Sequence, residues 1–231
     1  MYTTKNILKK MGIPAEGTTV AIQGMGNVGS ITAKLLHREG MKIIAVSDVS
    51  GGIYRPEGLN VPAILDYLSL NRKNLLKDYT EEGMSRITNE ELLEMDARVL
   101  VPAALENQIN ASNAHKIRAE IIVEAANGPV AADADEILRD RGITVVPDIL
   151  ANAGGVVVSY FEWVQNIQSV SWTEEEVNEK LKDIMDPAFE AVWDISQKQN
   201  ATMRTGAYLI AVKRVVEAKA CLLYTSPSPR D

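Results

Sequence analysis

Between residues 21 and 30 the chain reads AIQGMGNVGS, with glycine at Gly24, Gly26 and Gly29. Regular elements do not gather glycine at that density, because each one costs about 0.5–1 kcal/mol relative to alanine inside a helix or strand. The stretch is therefore a turn. The apolar run TTVAIQ precedes it, and a helical pattern from Asn27 to Glu39 follows. Strand, G-x-G-x-x-G and helix in that order form the dinucleotide fingerprint. Gly24 permits the tight turn, Gly26 lets a pyrophosphate approach the backbone, and Gly29 lets the helix lie close on the strand. The helix N-terminus then offers unpaired N–H groups to the phosphates. The competing reading is a glycine-rich turn with no ligand. A second signal is independent of the first: the fold asks for an acid at the end of the next strand, about 20 residues on, to hold the adenosine ribose. Asp48 closes KIIAVSD and meets that requirement, although it also fits a solvated turn with Gly51 and Gly52. A carboxylate there favours NAD over NADP, and Arg55 is near enough in sequence to offset the preference.

The rest of the chain supports an α/β architecture. KIIAVSD (42–48), ARVLVPAA (97–104), EIIVEAA (120–126) and ITVVPD (143–148) are apolar runs suited to strands covered on both faces. Helical patterns separate them: Tyr2 to Met11, Pro62 to Asn71, a short helix from Thr88 to Met95, and AADADEILRDRG. Such alternation predicts a Rossmann-type, doubly wound, mostly parallel sheet with helices on both faces. Residues 72–86 are polar and carry no clear period. From about residue 149 the pattern is helical only, so C-terminal helices follow the sheet. Val28, Ile31, Leu35 and Leu36 share one predicted helix face; Val177, Leu181, Ile184, Ala188, Val192 and Ile195 share another. Thr88 with Glu91, and Thr173 with Glu176, are predicted capping boxes. Pro187 should kink its helix. The expected divisions are 1–172 for the dinucleotide domain, 173–219 for helices packing on it, and 220–231 for a disordered or non-native tail.

Composition narrows the function. A net charge of −7 over 231 residues argues against nucleic acid or anionic membrane as a general partner. One cysteine and two histidines, His37 and His115, leave little for a metal centre. A soluble, reducing, cytoplasmic setting is expected, since no run is long and apolar enough for a membrane span. His115 is more simply a surface residue than an acid or base.

GTTVAIQGMGNVGS, VPAALENQI (101–109), VEAANGP (123–129) and PDILANAGGVVVSYFEWVQN (147–166) occur in an order that resembles the C-terminal, NAD(P)-binding half of a glutamate dehydrogenase, of the glutamate/leucine/phenylalanine/valine dehydrogenase superfamily. The resemblance extends from the first residues to about Ala218. It implies a Rossmann sheet with one strand reversed. It also implies that Asn27 and Val28 belong to the cofactor loop with the three glycines, that Ala103 and Ala104 line the cofactor groove, and that Asn127 and Asn152 reach the nicotinamide side. Asn127 alternatively belongs to a turn with Gly128 and Pro129, and Asn152 to a helix N-cap. Ser159 matches the serine that binds the γ-carboxylate of glutamate, with Val156 one turn earlier; the alternative for Ser159 is a hydrogen bond to its own helix.

The reaction so implied is oxidative deamination of L-glutamate to 2-oxoglutarate and ammonia with NAD, or NADP, in a homo-hexamer. The family's catalytic Lys and Asp lie in an N-terminal substrate domain with no counterpart here, so no catalytic residue is assigned and the chain alone is expected to be inactive. The chain looks truncated at the front and altered at the back. Two other readings stand beside this one: the cofactor domain of a leucine, valine or phenylalanine dehydrogenase, and a non-catalytic NAD-binding module.

Overall fold

The computed structural model describes residues 1–224, with side chains through Cys221. Its centre is a seven-stranded sheet in the order β4-β3-β2-β1-β5-β6-β7. The strands are β1 (Thr19–Gln23), β2 (Lys42–Asp48), β3 (Gly51–Tyr54), β4 (Ser85–Ile87), β5 (Val99–Pro102), β6 (Ile121–Val123) and β7 (Thr144–Val146). β1 pairs in parallel with both β2 and β5, and β5, β6 and β7 continue in parallel. β3 alone is reversed, pairing antiparallel with β2 on one side and β4 on the other. The expected doubly wound, mostly parallel sheet with one inverted strand is thus present.

Alternate residues of the strands feed two separate cores, one on each face. Val20, Ile22, Ile43, Val46, Val99 and Val101 join the larger cluster. Ala21, Ile44, Ala45, Leu100 and Ile122 join the other. Double coverage explains why these strands read as continuous apolar runs rather than alternating ones. β3 and β4 did not stand out in the sequence for the opposite reason. GGIY carries two glycines, and the three residues of β4, all partly or fully exposed, include Ser85 and Arg86.

The helices are α1 (Tyr2–Lys10), α2 (Asn27–Arg38), α3 (Val61–Leu70), α4 (Asn89–Leu93), α5 (Ala132–Asp140), α6 (Asp148–Ala151), α7 (Ala153–Gln168), α8 (Glu174–Lys198) and α9 (Met203–Tyr224). Both predicted capping boxes form: Thr88 and Glu91 open α4, and Thr173 and Glu176 open α8. Each satisfies two N–H groups that a helix start leaves without partners. α1 packs on α8, where Asn6 donates to Asp186 at 2.8 Å and Lys10 pairs with Glu190.

Three expectations are corrected. The face of α2 that meets the sheet is Gly29, Ala33 and Leu36, while Val28 and Ile31 are exposed. Close approach of helix to strand selects small residues for the contact, so the bulky ones turn outward. On α8 Val192 is buried as predicted, but its buried companions are Met185, Phe189 and Ser196, one step round from Ile184, Ala188 and Ile195, and Ile184 is exposed. Finally, α9 reaches Tyr224, so residues 220–224, expected in a tail, are helical; the remainder of that tail lies outside the described residues. No helix among the described residues is long and apolar enough to cross a membrane.

Candidate functional site

A cleft of about 890 Å³ opens at the C-terminal ends of the central strands. It lies where the chain, having built outward from β1 through β2, restarts on the other side at β5. Such a switch point leaves a crevice because the crossovers diverge to opposite sides. Gln23 ends β1, Ser47 and Asp48 end β2, and Ala103, Ala104 and Leu105 follow β5; all line the cleft.

The three glycines differ physically. Gly24 has φ +92°, and a Cβ on it would lie 3.0 Å from the Ala103 carbonyl oxygen and from the Ala104 Cβ. Gly29 is more constrained, because a Cβ there would fall 1.7 Å from the Gly24 carbonyl oxygen. Its neighbour in the motif, Gly26, has nothing within 4 Å of the same position and adopts ordinary backbone angles (φ −74°, ψ −163°). No protein atom therefore requires glycine at Gly26. What a side chain there would enter is the cleft, which Gly26 lines at the start of α2. This is the arrangement a diphosphate needs: open backbone beside the N–H groups of a helix N-terminus.

Asp48 lines the cleft beside Val49. Its carboxylate also holds the surrounding backbone. Oδ1 accepts from the Ser50 amide at 2.7 Å and from the Ser50 hydroxyl, while Oδ2 accepts from the Leu76 amide at 2.7 Å. A carboxylate has about four acceptor sites, so Oδ2 keeps capacity for a ribose hydroxyl. Arg55 is not in the cleft; its guanidinium pairs with Glu81 at 3.2 Å. Arg72 and Asn74 line the cleft instead.

Of the residues the sequence singled out, Gly24, Gly26, Asn27, Asp48, Ala103 and Ala104 line the cleft, whereas Val28, Gly29, Asn127, Asn152, Val156 and Ser159 do not. Val28 is half exposed on the first turn of α2. Asn127 and Asn152, outside the cleft lining, come together: the Asn152 Nδ2 donates to the Asn127 Oδ1 at 2.7 Å. Asn152 makes no side-chain cap to α7. Ser159 donates its hydroxyl to the Gly155 carbonyl at 3.0 Å, and Val156 is 75% exposed. His115 is exposed.

The sequence reading missed a set of amides on the cleft floor. Gln23, only 2% exposed, donates through Nε2 to Asn89 Oδ1 at 3.0 Å and Gln108 Oε1 at 2.7 Å. The polar Gln23 at the end of an apolar strand was the available signal.

A cluster of charge sits beside the Asn127–Asn152 pair. Glu124, directly after β6, is fully buried. Burial pushes its carboxyl upward, a shift that Arg204 opposes. Arg204, from α9, meets Glu124 Oε1 through Nη2 at 2.7 Å, Asp135 Oδ2 through Nε at 2.7 Å and Asp148 Oδ1 through Nη1 at 3.4 Å. Desolvation works against the guanidinium, but its bonds to Glu124 and Asp135 outweigh that and raise its pKa.

Sheet order, inverted strand and glycine cleft together define a Rossmann-type α/β protein. The family model for glutamate/leucine/phenylalanine/valine dehydrogenases matches residues 1–221, and the chain belongs to that family. A cryptic catabolic NAD-specific glutamate dehydrogenase of Bacillus subtilis is 49% identical over 214 residues, covering 93% of this chain and 49% of the relative. Among solved structures, a hetero-hexameric glutamate dehydrogenase of Thermus thermophilus, in a leucine-bound form, superposes with a TM-score of 0.86 at 31% identity, over 99% of this chain and 52% of that one. A glutamate dehydrogenase of Peptoniphilus asaccharolyticus gives 0.79 at 35% identity, over 95% and 51%. The chain spans about half the length of the curated relatives it matches.

Proposed function

We propose that this chain is the cofactor-binding portion of an NAD-dependent glutamate dehydrogenase, which deaminates L-glutamate oxidatively to 2-oxoglutarate and ammonia. The observation that carries the cofactor reading is the contrast at the glycine loop. Gly24 and Gly29 are explained by neighbouring protein atoms, while Gly26 faces open cleft. Gly26 and Asn27 would seat the diphosphate at the start of α2, and Asp48 would accept from the adenosine ribose. Ala103 and Ala104 would form the opposite wall. Val28 and Gly29 would contribute only through the backbone that shapes the loop. Asn127 and Asn152 would meet the nicotinamide end, where NAD supplies the hydride acceptor. NAD is preferred to NADP because Asp48 repels a 2′-phosphate and Arg55 is committed to Glu81.

Val156 and Ser159 would face the substrate. For Ser159 to serve the γ-carboxylate, its hydroxyl must turn from the Gly155 carbonyl to the ligand. The 49% identity to an NAD-specific glutamate dehydrogenase supports both cofactor and substrate. The catalytic Lys and Asp would come from a substrate domain outside this chain, and the whole enzyme would work in the cytoplasm as a hexamer.

Isothermal titration of NAD and NADP against wild type and Asp48→Ala tests the reading. Wild type should bind NAD more tightly than NADP, and Asp48→Ala should narrow the difference. Failure of NAD to bind at millimolar concentration would overturn the proposal.

A further inference from the structure

The Arg204 cluster does not line the cleft, yet its Glu124 and Asp148 branches end on backbone that carries Asn127 or Asn152, while the third, Asp135, anchors it to α5. Glu124 Oε1 accepts from the Val130 amide at 3.2 Å, and Glu124 Oε2 from the Asp148 amide at 2.6 Å. Asp148 Oδ2 accepts from the Gly128 amide at 2.8 Å. Gly128 is the residue after Asn127. Asp148 opens α6, and its carbonyl accepts from the Asn152 amide at 2.9 Å. The two segments are thus tied to the same pair of carboxylates, and those carboxylates are tied to one guanidinium, 56 residues beyond Asp148 and 80 beyond Glu124. The side-chain bond between Asn152 and Asn127 closes the arrangement.

A purely stabilising role explains this geometry poorly. A buried ion pair gains little over apolar packing of similar volume, because desolvation offsets the attraction. What a forked guanidinium bonded through all three of its nitrogens supplies is fixed direction. Here the direction fixed is that of the ANGP loop relative to the α6–α7 junction.

We infer that Arg204, acting through Glu124 and Asp148, is a positioning residue that sets the Asn127–Asn152 pair for the nicotinamide end of the dinucleotide. The inference rests on the assignment of that pair proposed above. It makes α9 part of the cofactor site without touching the cofactor. Groups that act through a directly binding residue in this way commonly carry measurable shares of affinity.

Titration of the full chain with NAD and with ADP-ribose tests it. ADP-ribose keeps the adenosine, diphosphate and second ribose but lacks the nicotinamide, so the ratio of the two dissociation constants isolates contacts to that ring. Wild type should prefer NAD. Arg204→Lys keeps a cation for Glu124 but cannot span to Asp148 and Asp135; it should lower the preference about fivefold, the worth of one hydrogen bond, while ADP-ribose affinity stays within about twofold. Asn127→Ala should produce the same loss, and combining it with Arg204→Lys should add nothing. The paired change Glu124→Gln with Arg204→Gln, which removes the one fully buried charge together with its partner, should reproduce the result if Arg204→Lys folds poorly. An unchanged ratio in these variants, an equal fall for both ligands, or a wild-type ratio of one would overturn the inference. A wild type that fails to bind ADP-ribose would instead overturn the dinucleotide assignment beneath it.

Discussion

Gly26 and Gly29 look equivalent in a motif and are opposites in space. A methyl group at Gly29 drives into the Gly24 carbonyl. Gly29→Ala should therefore cost about 1–3 kcal/mol or more in folding free energy, as overpacking against unyielding backbone does. Gly26→Ala meets no protein atom and should leave the thermal midpoint nearly unchanged, within about 0.5 kcal/mol of wild type. Its NAD affinity should nevertheless fall about tenfold or more, because the added methyl occupies the diphosphate's approach. Melting curves and titration on both variants check the pair together; equal NAD binding by Gly26→Ala would remove the diphosphate from that loop. At this scale the sequence was most legible where a motif encodes backbone geometry. It was less so where a side chain has two uses. Asp48 stands at the strand end the motif demands, but its bonds to Ser50 and Leu76 come from a turn and a segment with no periodic signal. Ser159 is likewise the expected residue, with its hydroxyl given to its own helix.

Elements divide the same way. Five strands could be read because both faces of the parallel sheet are covered, whereas β3 and β4 are short, antiparallel and partly polar. The segment between residues 72 and 86, shapeless in sequence, is organised by side chains rather than by a hydrophobic period. Tyr79, buried beside Tyr67, donates to Glu81 at 2.8 Å, and Glu81 in turn holds Arg55 and the Asn60 amide. Arg86 donates to the carbonyls of Leu76 and Tyr79. Burial, the bond to Glu81 and its charge push the Tyr79 hydroxyl up to about 12. A tyrosine whose folded pKa is raised stabilises fully below its unfolded value of about 10 and loses that contribution as pH rises towards 12. Tyr79→Phe should therefore be less stable than wild type at pH 8, by about 1 kcal/mol for the lost hydrogen bond. The gap should shrink between pH 10 and 12, and urea melts across that range measure it. A gap that widened with pH would contradict the burial of the hydroxyl.

For the whole molecule, apolar surface is left uncovered on two of the C-terminal helices. Val156, Tyr160, Trp163 and Ile167 recur at helical spacing along α7, and all four are more than half exposed. Tyr208, Val212, Val215 and Val216 do the same on α9. Periodicity reports that a face is buried somewhere; it does not say against what. Contiguous apolar surface of this kind drives association. Sedimentation velocity at tens of micromolar should show species heavier than the 25.3 kDa monomer, and Trp163→Glu with Val215→Glu should shift the distribution back towards it. A strictly monomeric wild type would show that these stripes are tolerated in water.

The pairing of α1 with α8 bears on how the protein is made. Asn6 and Asp186 stand 180 positions apart, so a growing chain exposes α1 long before the residues that grip it have been translated. Ile7 and Leu8, completely or almost completely sequestered in the finished protein, must wait in the meantime. Ribosome-bound nascent chains that end before residue 174 should therefore bind hydrophobic-segment chaperones through residues 2–10, and release them once the long helix has emerged.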